Sequence, residues 1–88
     1  MGIEFDQKKA ASNLKKHSVA FEDAASSLLD PMALVREDED AVDEARFQLV
    51  GMSNAGHLLM VCYTLRGDVI RLISARMATK NERRQYES

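Results

Sequence analysis

Apolar residues recur at helical spacing in the first part of the chain. In "QKKAASNLKKH", residues 7–17, Ala10, Leu14 and His17 are three or four positions apart, as on one narrow face of a helix. Asp6 stands before this segment, where its carboxylate can accept a hydrogen bond from the first turn. The pattern predicts a helix over 7–17, and the preceding "IEF" is compatible with a short opening strand.

A second helical stripe follows directly in "VAFEDAASSLLD", residues 19–30. Ser18 stands before it as an expected cap. The segment ends at Asp30, because Pro31 disfavours the helical conformation in the residue before it. The pattern therefore predicts two consecutive helices in the first third of the chain.

After residue 31 the spacing becomes that of strands. "MALVR" (32–36) is a short strand candidate, and "RFQLVGM" (46–52) is rich in β-favouring residues. "HLLMVCYTL" (57–65) is apolar almost throughout, as expected of a central strand, and "VIRLISA" (69–75) follows it. The connections "SNAG" and "RGD" are short and contain glycine, which indicates hairpins and therefore antiparallel pairing.

The last segment carries the clearest local signal. Thr79 and Glu82 have the T-x-x-E spacing of a capping box, which predicts a helix running to about Glu87. The order of elements favours a single α+β domain over residues 1–88. We expect an antiparallel sheet of three to five strands, packed with two N-terminal helices and one C-terminal helix.

The charges are segregated along the chain, although the net charge is only -2. Residues 37–44, "EDEDAVDE", hold six acids and no base. Basic residues concentrate in the first predicted helix and in the last quarter of the chain, where they are Arg66, Arg71, Arg76, Lys80, Arg83 and Arg84. The acidic block is typical of a solvated face, and the basic segments permit a locally positive surface that binds an anion.

The single cysteine, Cys62, lies in the apolar run "LLMVCY" and is expected to be a small core residue in a reducing compartment. That run is far shorter than the ~20 residues that span a bilayer. No basic start leads into an apolar stretch, as it would in a secretory signal. We therefore expect a cytoplasmic protein that does not contact a membrane.

The available side chains favour phosphodiester chemistry without a metal. His17, His57 and Cys62 have no paired spacing typical of zinc ligands, and no phosphate-cradling glycine loop is present. Arginine binds phosphate oxygens through two parallel hydrogen bonds, and His, Glu, Lys or Tyr side chains can transfer protons. RNA supplies its own nucleophile, the 2′-hydroxyl. These residue types permit RNA cleavage but do not by themselves establish it.

Strand geometry places one condition on such a site. Arg71 and Arg76 are separated by an odd number of residues, so on a regular strand their side chains face opposite sides of the sheet. Both can serve one site only if the strand ends or bends near Ser74.

Two long stretches make the chain similar to a known family. "EFDQKKAASNLKKHSVAFEDAASSLLDP" (4–31) resembles the opening of the BrnT toxins of type II toxin–antitoxin pairs, and "IRLISARMATKNERRQYE" (70–87) resembles their closing signature. The intervening strands also fit that family. The resemblance covers nearly the whole chain.

This resemblance implies a RelE-like fold and endoribonuclease activity, and from the available side chains we expect no cofactor. It implies a partner antitoxin, similar to BrnA, with a ribbon-helix-helix DNA-binding part, so that promoter DNA is contacted only through the antitoxin. The positions that match the family motifs are Asn13, Lys16, His17, Phe21, Glu22, Arg71, Ser74, Arg76, Glu82, Arg83 and Tyr86. Among them we expect Arg76, His17, Glu22 and Tyr86 to be catalytic, and Lys16, Arg71 and Arg83 to bind RNA. Asn13, Phe21, Ser74 and the capping residue Glu82 are expected to be architectural.

The chain departs from the family pattern at three places. Ser18 replaces a usual glycine, Met77 replaces a usual arginine, and residues 36–44 are unusually acidic. The loss of a positive charge at Met77 keeps a second hypothesis open. In it, the chain is a weakly active or inactive relative that binds its antitoxin and tunes repression. A third reading is an unrelated α+β interaction domain.

Overall fold

A computed structural model describes residues 2–88. Within this range the chain forms five strands and three helices. In chain order they are β1 (Gly2–Glu4), α1 (Gln7–His17), α2 (Phe21–Ser27), β2 (Leu34–Asp38), β3 (Arg46–Met52), β4 (Leu58–Arg66), β5 (Val69–Met77) and α3 (Lys80–Glu87). The predicted α+β class is confirmed, and the expected bounds of α1, β3 and α3 are reproduced.

The strands form one sheet in the order β1-β5-β4-β3-β2. Strands β2 to β5 pair antiparallel, as the short hairpins predict, whereas β1 pairs parallel to β5. The sheet is therefore mixed: the expected antiparallel pairing is confirmed for β2 to β5, and among the described strands β1 is the exception. Hairpin connections determine the direction only of strands that follow each other in sequence, and β1 and β5 lie at opposite ends of the chain.

The two N-terminal helices cover one face of the sheet and form the core with it. Phe21 and Ala24 of α2 are fully buried in one cluster with Leu59 and Val61 of β4 and with Leu72 of β5. Side chains two positions apart on β4 point to the same face of the sheet. We call this side, which carries Leu59 and Val61, the core face.

Helix α1 ends at Ser18 in a backbone conformation that is uncommon for residues other than glycine. Asp6 caps its start by accepting from the Lys8 amide at 2.9 Å. Ser18 terminates it with φ at 58°, the left-handed conformation usually taken by glycine. Ser18 therefore closes α1 and does not cap α2, whose N-cap is Ala20 without a side-chain hydrogen bond.

Helix α2 is shorter than predicted. It ends at Ser27, and Leu28, Leu29 and Asp30 continue with tighter backbone bonds that span three residues. These bonds satisfy the carbonyl groups at the helix end. The apolar spacing continues beyond Ser27, which explains why the sequence pattern overestimated the length.

The packing of α2 on the sheet depends on a close backbone approach at Gly51 in β3. A β-carbon at this position would lie 2.7 Å from the Ser27 carbonyl oxygen and 2.9 Å from a methyl group of Leu49. Only glycine fits there without moving the end of α2.

Helix α3 lies on the opposite face of the sheet, next to β3 and β4. Ala78, just before it, donates a backbone hydrogen bond to Leu58 at 2.9 Å. No helix within residues 2–88 is long and apolar enough to cross a membrane. Since α3 has only eight residues, it covers only part of its side of the sheet. We call this side the α3 face.

Candidate functional site

A β-bulge places both arginines of β5 on the α3 face. Arg71 is opposite Thr64 on β4, Ser74 is opposite Cys62, and Arg76 is opposite Met60. These three partners alternate along β4 and therefore share one face. The pairing shifts because one extra residue, Ile73, is inserted in β5. The condition set by the odd spacing of Arg71 and Arg76 is met by this bulge.

Arg76 is held by helix α3. Its two terminal nitrogens donate to the two carboxylate oxygens of Glu82, each at 2.9 Å. This hydrogen bonding raises the pKa of Arg76 and lowers the pKa of Glu82. Glu82 also completes the predicted capping box with Thr79. The two-point geometry that binds the carboxylate is the one with which arginine binds a phosphate group.

Arg71 has a weaker partner at the outer side of the same face. Its guanidinium lies 3.4 Å from the carboxylate of Glu4 on β1, and about a quarter of its side chain is exposed. Ser74 lies between Arg71 and Arg76 along the strand. The α3 face thus presents two cations and a hydroxyl group along β5, with Cys62 and Thr64 beside them on β4.

A shallow depression runs along the outer edge of β5, where α1 approaches the sheet. Ser74 and Ile73 line it from the strand, and five residues line it from α1: Lys9, Ser12, Asn13, Lys16 and His17. Ser74 belongs both to this depression and to the row of β5 side chains on the α3 face. The structure therefore brings Lys16 and His17 to the border of the surface that carries Arg71 and Arg76.

Asn13 of α1 holds that helix against the outer edge of β5. Its amide nitrogen donates to the carbonyl oxygens of Val19 and Ala75 at 3.0 and 2.9 Å, and its oxygen accepts from the Ala75 amide at 3.0 Å. A side chain of α1 thereby satisfies the backbone of β5 beyond the point where β1 ends. The expected architectural role of Asn13 is supported by these three contacts.

Two of the predicted site residues lie away from this surface. Glu22 lines a separate depression with residues of α1 and the start of α2, among them Gln7 and Leu14. Arg83 is on α3 and pairs with Glu87 one turn later, at 3.8 Å. The structure does not bring Glu22 together with His17 or Arg76, and Arg83 occupies the solvent side of α3.

Tyr86 connects α3 to the end of the α2 region. Its hydroxyl donates to Asp30 at 2.5 Å, and the same carboxylate oxygen accepts from the Met52 amide at 2.8 Å. The hydrogen bond to Asp30 raises the pKa of Tyr86, and it lowers the pKa of Asp30 together with the amides of Met52 and Met32. In this conformation Tyr86 holds α3 against the sheet.

The sequence interpretation missed Lys9 and Ser12 as neighbours of the site. They precede Lys16 by seven and four positions, so helical spacing would have placed all three on one side of α1. It also missed Asp30 as the partner of Tyr86, for which the sequence contains no signal. Among the residues that the structure describes, no three His, Cys, Asp or Glu side chains are grouped closely enough to hold a metal ion.

Comparison with known proteins identifies the family. The sequence model described as "Ribonuclease toxin, BrnT, of type II toxin-antitoxin system" matches residues 5–82. The fold is similar to the 1.1 Å crystal structure of the ribonuclease toxin BrnT from Brucella abortus, with a TM-score of 0.66 and 24% sequence identity over 91% of this chain and 99% of that one. No curated protein matches the sequence significantly.

The family match extends from Phe5 before α1 to Glu82 in α3, and so includes the residues that shape the β5 edge and hold Arg76. Membership in a type II system implies a protein antitoxin as partner and RNA as target. This chain belongs to the BrnT family of ribonuclease toxins.

Proposed function

We propose that this chain is an endoribonuclease that cleaves RNA without a metal, through attack of the 2′-hydroxyl on the neighbouring phosphate. The observation that carries the proposal is the bulge in β5. It aligns Arg71 and Arg76 on one face, at the border of the depression that contains Lys16 and His17. Guanidinium groups supply the positive charge that such a reaction needs at phosphorus.

Arg76 is the proposed phosphate ligand. In the free protein Glu82 occupies its two donors, so an RNA phosphate replaces the carboxylate in the same two-point geometry. Arg71 and Lys16 are proposed to bind the flanking phosphates, since Arg71 shares the α3 face with Ser74 and Lys16 lines the depression that Ser74 borders. Arg83 on the solvent side of α3 is proposed to contact a more distant part of the RNA.

His17 is the proposed general base. It is exposed at the end of α1, and imidazole transfers protons near neutral pH. The base takes the proton of the 2′-hydroxyl and the 2′-oxygen bonds to phosphorus. The bond from phosphorus to the 5′-oxygen breaks, and the 5′-oxygen takes up a proton from water. The products are a 2′,3′-cyclic phosphate and a 5′-hydroxyl end. Tyr86 and Glu22 stay predicted proton-transfer residues, and each needs a rearrangement to reach this surface.

The proposed partner is a cognate antitoxin similar to BrnA, with a ribbon-helix-helix part that contacts promoter DNA. The acidic residues 37–44 make direct DNA binding by the toxin unfavourable at that end of the molecule, because DNA is a polyanion. The toxin then reaches the promoter only through the antitoxin.

A second candidate function is an inactive relative that only binds its antitoxin. The observation in its favour is Met77, which is about half exposed at the end of β5, where the family usually has an arginine. The ion pair of Arg76 with Glu82 further reduces the free positive charge at this place.

Incubation of labelled single-stranded RNA with the pure protein in excess EDTA separates these hypotheses. We expect cleavage by the wild type and a loss of about 10²–10³-fold in Arg76→Ala, because a donor that stabilises charge in the transition state is removed. Arg84→Ala is the matched control, since Arg84 is an exposed arginine on α3. Absence of cleavage by the folded wild type would support the inactive relative, and cleavage only after adding Mg²⁺ would contradict metal independence.

A further inference from the structure

The strand at the end of the sheet opposite the proposed RNA site is exposed and apolar. Strand β2 is outermost in the sheet and, among the described strands, pairs only with β3. Leu34 and Val35 at its start are 42% and 53% exposed, and Leu29 and Met32 just before it are 77% and 68% exposed. An outer strand with free backbone groups and exposed apolar side chains is a template for pairing with another chain.

A groove lies beside this strand on the α3 face. Leu34 of β2, Val50 of β3 and Met60 of β4 form its apolar floor, and Glu82 and Gln85 of α3 form one wall. Arg36 and Gln48 close one end through a side-chain hydrogen bond of 3.0 Å. A strand added to β2 would place every second side chain over this groove.

The charge around β2 identifies what kind of chain fits. The end of β2 and the loop after it carry the six acids of residues 37–44, whereas the β5 edge carries Lys9, Lys16 and Arg71. The two edges of the sheet therefore have opposite charge. An RNA strand is repelled from the β2 edge, and a polypeptide with lysine and arginine residues is attracted to it.

We propose that a basic, extended segment of the antitoxin docks on β2 as a sixth strand. Its alternate apolar side chains lie over Leu34 in the groove, and its basic residues face the acidic residues 37–44. This inference rests on the toxin–antitoxin pairing within the proposed function, but not on RNA cleavage. It leaves Lys16, His17 and Arg71 uncovered, and it meets the proposed RNA site only at Glu82, which lines the groove and holds Arg76.

Binding of the purified product of the open reading frame adjacent to this chain's gene tests the proposal. The variant is Glu37→Lys with Glu39→Lys, two exposed acids near the end of β2 and just after it. The matched control is Asp68→Lys with Glu87→Lys, which makes the same change of charge at exposed positions elsewhere. We expect binding at least tenfold weaker in the variant and within twofold of wild type in the control, at 150 mM salt.

Hydrogen exchange of the wild-type complex provides the second measurement. We expect slower exchange of the amides of residues 34–38 on binding, because strand addition pairs their free backbone groups. The proposal would be overturned if Glu37→Lys with Glu39→Lys bound as tightly as wild type, or if the wild type did not bind at all. It would also be overturned if the slower amide exchange were confined to β1, β5 and α1. So would a dimer of the toxin alone with residues 34–38 already protected, since a second copy would then occupy the edge.

RNA cleavage by the free protein keeps the two proposals separate. Glu37→Lys with Glu39→Lys leaves Arg71, Arg76, Lys16 and His17 in place, so we expect cleavage within twofold of wild type. If the wild-type protein binds the antitoxin through β2 but cleaves no RNA, only the enzyme proposal is contradicted. If the wild-type protein cleaves RNA but binds the antitoxin at another surface, only the docking proposal is contradicted.

Discussion

Replacement of Asn13 by alanine should be among the most damaging single changes in this chain. The side chain is 6% exposed and makes three hydrogen bonds, two with the backbone of Ala75 and one with that of Val19. Alanine leaves one amide and two carbonyl groups without these partners at a buried position. Each unsatisfied group costs about 1–3 kcal/mol, and partial entry of water reduces the sum. We expect a loss of about 3–5 kcal/mol in the free energy of unfolding.

A loss of this size is large for a small domain, whose stability is about 0.05–0.15 kcal/mol per residue. Urea unfolding followed by circular dichroism measures it directly. Ser12→Ala is the matched control, because Ser12 is the exposed neighbour of Asn13 on the same helix, and its replacement should change stability by less than about 0.5 kcal/mol. A loss below about 1 kcal/mol in Asn13→Ala would refute the reasoning that Asn13 joins α1 to β5.

The same change has a functional consequence. Asn13 holds the part of α1 that presents Lys16 and His17 beside β5. At a temperature at which Asn13→Ala is still folded, we therefore expect slower RNA cleavage than in Ser12→Ala. Equal cleavage rates in the two folded variants would show that the position of α1 does not matter to the reaction.

Three further changes test other parts of the structure. Gly51→Ala should lower the free energy of unfolding by about 1–3 kcal/mol in urea titrations, because its β-carbon meets a backbone oxygen, whereas Gly2→Ala, with 3.9 Å to its nearest neighbour, should have little effect. Ser18→Gly should raise the unfolding free energy by about 0.5–1 kcal/mol, since glycine adopts the left-handed helix end without strain; no gain would contradict the observed φ. Tyr86→Phe should lower the midpoint of urea unfolding at pH 7, and the difference from wild type should shrink below about pH 4. Because the pKa of Asp30 is lowered in the folded state, the hydrogen bond contributes its full stability above the unfolded-state pKa of Asp30, and this contribution is lost as the pH falls through the folded-state pKa. A stability difference between Tyr86→Phe and wild type that does not change with pH would contradict the contact.

Local signals in the sequence predicted much of the fold. Asp6 and the Thr79–Glu82 capping box determined where α1 and α3 begin, because cap residues bind backbone groups only two or three positions away. The glycine-containing turns gave the antiparallel pairing of β3, β4 and β5. These features depend on neighbours in the chain, which a single sequence displays.

The features that build the site depend on distant contacts. Neither the parallel pairing of β1 with β5 nor the hydrogen bond of Tyr86 with Asp30 has a local signature. The odd spacing of Arg71 and Arg76 indicated that a bend was needed near Ser74 but did not establish that one exists. Only the register with β4 shows the bulge at Ile73, which puts both arginines on one face.

The central claim is that this chain cleaves RNA through the 2′-hydroxyl without a metal. The most direct test compares two labelled single strands of identical sequence in excess EDTA, one with ordinary ribose and one with every 2′-hydroxyl methylated. We predict cleavage of the first strand only, with 2′,3′-cyclic phosphate and 5′-hydroxyl ends. Cleavage of the methylated strand at a similar rate, or 5′-phosphate ends on the products, would contradict the proposed mechanism.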